Sequence, residues 1–162
     1  MIRNNWKRAG FGAAAGLALS LGACAEEAPA PVPVEGVYPG LEITNARLVL
    51  APVKGNPAAV YFDAVYNGER GISITGAKVS GAANAEVHAM MEYDFKMTMA
   101  EAGPIPLRSG ETQTFEPGGF HVMAMELDEG VEAGGTVEVT LKISGGKTHT
   151  FDAEVRAAGE ER

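Results

Sequence analysis

Apolar and polar residues alternate with a period of two along most of the chain after residue 40. Short segments rich in Val, Ile, Thr and aromatic residues are separated by Gly, Pro, Asn or Asp clusters, a pattern typical of β-strands joined by turns. Nine strands are predicted, with the sequences LEITNARLVL, AAVYFDAVYN, GISITGAKVS, AEVHAM, FKMTM, TQTFEP, GFHVMAMEL, GTVEVTLKIS and THTFDAEV. We therefore expect an all-β domain at 41–157, an antiparallel β-sandwich or barrel with Greek-key connections, followed by a frayed tail at 158–162.

The first 23 residues follow a different pattern. A basic start is followed by the apolar run FGAAAGLALSL at residues 11–21, which is about half as long as the ~20 residues of a membrane-spanning helix. Residues 1–23 are therefore predicted to be an export signal. The signal ends in LGAC, which resembles the lipobox of bacterial lipoproteins.

Cys24, the last residue of that motif, is the only cysteine in the chain, and it is the predicted site of lipid attachment. The alternative is an ordinary secretory signal cleaved after Ala23 or Ala25. With Ala25 where an Asp would stand in some lipoproteins, an outer-membrane anchor facing the periplasm is slightly favoured. Residues 24–40 continue with the Pro-rich sequence AEEAPAPVPVEGVYP, which predicts an extended tether between the anchor and the domain.

The charge balance argues against one class of partner. The full chain has 13 basic and 21 acidic residues, and the predicted signal removes three basic residues and no acidic ones, leaving 10 against 21. Phosphate would be repelled by such a domain, so nucleic-acid binding is disfavoured. An acidic surface suits the attraction of cations, although solubility alone would explain it equally well.

Residues 88–125 contain an unusual set of side chains. Two of the three histidines and six of the seven methionines lie in this stretch. In GFHVMAMEL, Phe120, Val122 and Ala124 share one face of the predicted strand, and the His/Met set shares the other. The same alternation places the histidine and the methionine of AEVHAM on one face of that strand. It also places the two methionines of FKMTM on one face. Each of these residues alone could be a packing or surface residue, but the joint pattern predicts a site.

The chemistry that suits this set is the binding of a soft metal ion. Thioether sulfur is uncharged and polarizable and therefore prefers Cu(I), while imidazole adds a stronger donor that copper also accepts. Zinc sites instead use Cys, His and carboxylates. Methionine also avoids the oxidation that threatens thiols outside the cytoplasm. No triad order, nucleophile elbow or carboxylate–His cluster indicates an enzyme.

The spacing His88-x10-Met99-x21-His121-x-Met123, with PGGFHVMAM around the second histidine, resembles the motif of the periplasmic copper chaperones called PCu(A)C. The resemblance implies a cupredoxin-like β-sandwich that binds one Cu(I) through these four residues. It further implies delivery of copper to the Cu(A) centre of cytochrome c oxidase, with the copper-site subunit and a Sco-type thiol protein as partners. Ala100 and Ala124 depart from residues common in that family, which leaves the recipient open.

Other candidates surround the four predicted ligands. Met90, Met91, Met97 and Met125 are either auxiliary metal ligands or shielding residues, with shielding favoured. His149 is expected to be a surface residue, with a second, Cu(II)-type site as the alternative. A blue-copper electron carrier would need a Cys thiolate, which the domain lacks. The alternatives kept open are a metal-free structural or adhesive lipoprotein and a copper storage or tolerance protein.

Overall fold

The structure is a computed structural model, and it describes residues 36–93 and 95–160. The predicted signal, Cys24 and most of the predicted tether lie outside the described residues. The described residues form ten strands, in the following order along the chain: β1 Leu41–Val49, β2 Ala58–Tyr66, β3 Ile72–Val79, β4 Ala82–Tyr93, β5 Lys96–Glu101, β6 Ile105–Leu107, β7 Glu111–Phe115, β8 Phe120–Leu127, β9 Thr136–Ile143 and β10 Lys147–Arg156.

Each of the nine predicted strands corresponds to an observed strand, and the prediction of an all-β sandwich is confirmed. The strands follow the spatial order β5-β4-β8-β7-β2-β1-β10-β9-β3-β6, and β8 also pairs with β2. Most neighbours are antiparallel, whereas β1–β10 and β7–β8 are parallel. The strand that the pattern missed, β6, is three residues long and has Pro106 at its centre, a residue that weakens any strand prediction.

The core is built by side chains that alternate along the strands. In β2, alternate residues from Ala58 to Tyr66 are buried, as a strand with one core-facing side requires. Phe62 lies at the centre, stacked on Phe115 with ring centroids 4.1 Å apart and tilted against Phe151 at 5.2 Å. Aromatic pairs of this kind add stability beyond the burial of their area.

Strand β4 belongs to two different environments. Val87 and Ala89 are buried in the domain, and pairing with β8 ends where the Met90 amide donates to the Gly119 carbonyl at 3.3 Å. Beyond that point β4 is paired only with β5, and the two strands form a hairpin whose described side chains from Met91 to Met99 are exposed. We call this projecting part, residues 90–99, the ribbon.

The end of the predicted tether contacts the domain. The Thr150 amide donates to the Gly36 carbonyl at 2.5 Å, and the Tyr38 amide donates to Nδ1 of His149 at 3.0 Å. Gly40 then turns the chain into β1 with a φ of 79°. A Cβ at this position would come within 2.8 Å of the Gly68 backbone, so glycine is required both for the φ and for the close approach.

Candidate metal centre

The candidate metal centre lies on three neighbouring strands, in the order β5, β4 and β8. His88 of β4 is paired with Glu101 of β5 on one side and with His121 of β8 on the other. Residues paired directly across strands project to the same face, and so do alternate residues along one strand. The register therefore brings one set of side chains together, which we call the His/Met face: Glu86, His88, Met90, Glu92, Met97, Met99, Glu101, His121, Met123 and Met125.

The opposite face of β4 and β8 supplies the core. Val122 and Ala124 are fully buried, and Phe120 packs against the same cluster, as the alternation in GFHVMAMEL predicts. Because these apolar residues fix the orientation of β8, the intervening residues must project from its other side. The core residues thus determine where His121 and Met123 point.

His121 is held in the form that a metal ligand needs. Its Nδ1 lies 3.1 Å from the Gly119 carbonyl oxygen, which can only accept, so Nδ1 carries the proton and donates. Nε2 therefore keeps its lone pair, and it lies 3.1 Å from Sδ of Met99. Burial lowers the pKa of His121 below the usual imidazole value, which keeps the ring neutral. The side chain is only 6% exposed, because Met99 crosses from β5 to cover it.

His88 has one nitrogen bonded and one free. Its Nε2 lies 3.1 Å from Oε2 of Glu86, so Nε2 donates and Nδ1 is left with the lone pair. Among the described residues, Nδ1 of His88 is the buried side-chain nitrogen or oxygen that has no hydrogen-bond partner. A buried orphan of this kind is costly unless it binds something, and a metal ion would satisfy it. The donors present on this face therefore fit a soft metal ion.

The contact with His88 also affects the ionisation of Glu86. The hydrogen bond from His88, together with a second from the side-chain amide of Asn84 at 2.8 Å, lowers the pKa of this carboxyl group. A carboxylate that accepts the distal N–H of a histidine fixes the tautomer and orientation of the ring and strengthens its metal-binding nitrogen. Sequence reasoning missed Glu86, although its position two residues before His88 on the same strand face was a usable signal.

The four predicted ligands are therefore brought to one face. The rings of His88 and His121 lie edge to face with an interplanar angle of 62°, and their centroids are 6.0 Å apart. The strand register places Met123 on the same face, opposite Glu86. On the side away from β4, the ring of Tyr61 lies 6.4 Å from that of His121. The site is thus bounded by an aromatic ring on one side and by Met99 above.

The remaining methionines are placed in two different ways. Met90, Met97 and Met125 lie on the His/Met face, whereas Met91 lies on the opposite face of β4. Met97 is 61% exposed and Met91 is 48% exposed. Met90 and Met125 are half-buried. Whether these methionines shield the site or bind the ion stays a prediction.

The expectation that His149 is a surface residue was wrong. It is 5% exposed, and its ring lies 6.4 Å from that of Phe151. Its Nδ1 is occupied by the Tyr38 amide, and burial lowers its pKa. The reason is the segment at 36–40, which covers this position of β10 and which the sequence pattern assigned to a free tether.

Two further findings concern the described residues as a whole. Within 36–93 and 95–160, no three His, Cys, Asp or Glu side chains converge in a group that could hold a metal ion. The His/Met face instead carries two imidazoles and several thioethers, of which the Met99 sulfur contacts His121. The same part of the chain has no helix long and apolar enough to cross a membrane.

Comparison with solved structures identifies the fold. The structure of Cu(I)-bound DR1885 from Deinococcus radiodurans superposes with a TM-score of 0.57 and 25% identity, covering 77% of this chain and 83% of that one. The copper-bound PCuAC domain from PmoF2 gives a TM-score of 0.58 and 24% identity, covering 73% of this chain and 93% of that domain. The predicted resemblance to PCu(A)C proteins is thus confirmed for the β-sandwich fold.

Sequence comparison identifies the family. The "Putative lipoprotein Lxx21020" of Leifsonia xyli subsp. xyli (strain CTCB07) is 32% identical over 145 residues, which are 88% of this chain and 86% of that protein. The family model described as "Putative lipoprotein LpqE-like" matches residues 41–155, which include nearly all of the described strands. The chain therefore belongs to the family described as "Putative lipoprotein LpqE-like", and it has the β-sandwich fold of PCuAC domains.

Proposed function

We propose that this protein is an exported, lipid-anchored Cu(I) chaperone that binds one ion through His88, Met99, His121 and Met123. The observation that carries the proposal is the pair of free imidazole lone pairs on one strand face. Nε2 of His121 faces the Met99 sulfur at 3.1 Å, and Nδ1 of His88 is buried without a partner. Two similar proteins, the PCuAC domain from PmoF2 and DR1885, have been solved in copper-bound and Cu(I)-bound form, which supports the same cargo.

The ligand set suits transfer of the ion. Two neutral imidazoles and two neutral thioethers leave the complex with the +1 charge of Cu(I), and no thiolate has to be protonated on release. Met99 is 46% exposed, so an incoming ligand can reach the ion from the same side and displace this thioether. His121 lies deeper and is oriented by Gly119, so it is the ligand that retains the ion until exchange.

A competition titration tests metal binding. The purified chain is titrated with Cu(I) against a chromophoric chelator, and we expect one ion to be bound. His121→Ala and Met123→Ala should each weaken binding by at least about 10-fold, because each removes a ligand. Met91→Leu is the matched control, since Met91 lies on the opposite face of β4 and should leave the affinity unchanged. Failure of the wild-type chain to compete would favour the metal-free lipoprotein.

The recipient that we propose is the Cu(A) centre of cytochrome c oxidase, reached with the help of a Sco-type thiol protein. Deletion of the gene should lower oxidase activity in copper-poor medium, and added copper should restore it. The chromosomal His121→Ala variant should behave like the deletion, whereas Met91→Leu should behave like wild type. Normal oxidase activity combined with copper sensitivity would instead assign the protein to copper storage or tolerance.

A further inference from the structure

Three methionines lie together on the His/Met face of the ribbon. Met90 on β4 is directly opposite Met99 on β5, and Met97 is the next residue of β5 on the same face. Directly opposite residues have Cβ atoms about 5 Å apart, and diagonal neighbours are about 7–8 Å apart, within reach of long side chains. The thioethers of Met90, Met97 and Met99 can therefore converge on one point outside the sandwich.

Packing does not account for these residues. Met97 is 61% exposed and Met99 is 46% exposed, and beyond Ala89 none of the described strands pairs with the ribbon from outside. Exposed apolar side chains clustered on a projecting hairpin are unusual in a soluble domain and mark a functional surface. Polar residues would serve a solvent-exposed hairpin better, and Thr98 shows that the strand accepts one.

The charges around the cluster favour a cation. Glu92 is opposite Met97, and Glu101 is opposite His88, so both carboxylates lie on the His/Met face. Lys96, the lysine of β5, lies on the other face of the ribbon, because it precedes Met97 by one residue. Carboxylates near a soft-metal site attract the cation without competing as preferred ligands.

We propose that Met90, Met97 and Met99 form a second, weaker Cu(I) site through which the ion enters and leaves. This inference rests on the proposed function, because the ion that it handles is the one bound by the histidines. Met99 belongs to both sites, so the ion can move without ever being released. Two exchange steps each form a Cu–N bond to a histidine and break a Cu–S bond to Met97 or Met90. A last step adds the Cu–S bond to Met123, so the ion goes from three ligands to four, and copper remains Cu(I) throughout.

The site can be isolated by removing the histidine ligands. In the full chain carrying His88→Ala and His121→Ala, we expect weak Cu(I) binding with a sulfur-only shell in X-ray absorption. Adding Met97→Leu should lower this residual affinity by at least about 10-fold, because one of three ligands is lost. Adding Met91→Leu instead should have no effect, since that thioether has similar exposure on the opposite face. Absence of residual binding, or equal effects of the two Leu variants, would overturn the proposal.

If the double histidine variant fails to fold, a kinetic measurement on the other variants still tests the entry site. With all histidines present, Met97→Leu should slow uptake of Cu(I) from a chelator complex while leaving the final affinity unchanged. Met91→Leu should change neither quantity. Uptake at the wild-type rate in Met97→Leu would refute the entry site while leaving the proposed function intact, whereas a wild-type chain that binds no Cu(I) would refute the proposed function itself.

Discussion

The two halves of β4 differ in what surrounds them. From Ala82 to Ala89 the strand pairs with β8, and β5 joins it on the other side from His88 onward. This half buries Val87 and Ala89 in the core and directs His88 to the His/Met face. From Met90 onward its neighbour is β5 alone, and Phe95 near the tip is 94% exposed. One continuous strand therefore carries a proposed ligand in its packed first half, and in its second half it carries the half-buried Met90 and the exposed Met91.

This difference separates two requirements of metal transfer. Rigid ligands in a packed region define which ion is held and how tightly, because their rotamers and tautomers are fixed by neighbours. Ligands on an exposed hairpin can move and be replaced, because few contacts hold them. His121 and Met99, whose contacting atoms are 3.1 Å apart, are the point where the two regions meet.

Substitution in the packed core of the β-sandwich should have the largest effect on stability. Phe62→Ala removes a fully buried ring that stacks on Phe115, and we expect it to lower the free energy of unfolding by about 3–5 kcal/mol. Phe95→Ala, at the exposed end of the ribbon, should change it by less than about 0.5 kcal/mol. Urea denaturation of the metal-free chains measures both. A comparable loss for the two variants would show that the ribbon is part of the folded core.

An intermediate effect, on Cu(I) affinity, is expected where a neighbouring side chain orients a proposed ligand. Glu86→Gln replaces the carboxylate that accepts the N–H of His88, and we expect Cu(I) affinity to fall by about 10-fold. Glu138→Gln on β9 removes the same charge from an exposed position away from the His/Met face and serves as the control. If both variants lose affinity equally, net charge rather than the contact to His88 controls binding.

The smallest effect that we expect is on the pH dependence of stability, and it comes from the buried His149. Burial holds the folded-state pKa of His149 below that of the unfolded chain, so as pH falls below roughly 6.5 the unfolded chain binds more protons than the folded one. The stability of the metal-free protein should therefore decrease with falling pH in this range. Unfolding curves across the range should show a weaker decrease for His149→Gln, and part of the slope should remain because His121 is shifted in the same direction. An unchanged slope would contradict this role of His149.

Much of the fold could be predicted from the sequence because alternation is a local property. The segment GFHVMAMEL contains its own evidence for a core face and a His/Met face, and the structure places Val122 and Ala124 in the core accordingly. The short strand β6 could not be predicted, because three residues around Pro106 are stabilised only by pairing with β3. Its existence depends on a neighbour that is distant in sequence.

The candidate site was predictable in composition but not in detail. The spacing of His88, Met99, His121 and Met123 selected four residues that the structure brings to one face. The tautomer of each imidazole depends instead on Glu86 and on the Gly119 carbonyl, which only the folded chain brings into position. The burial of His149 was missed for a similar reason. It depends on residues 36–40 lying against β10, more than 100 positions away.

The position of β5 at the edge of the sheet has a consequence for how long an ion stays bound. Because β4 is the strand to which β5 is paired, β5 can fray without disturbing the core, and each such opening withdraws Met99 from His121. Local openings of this kind cost less free energy than global unfolding. The residence time of the cargo would then be governed by the fraying rate of an edge strand, and amide hydrogen exchange in β5 would report it.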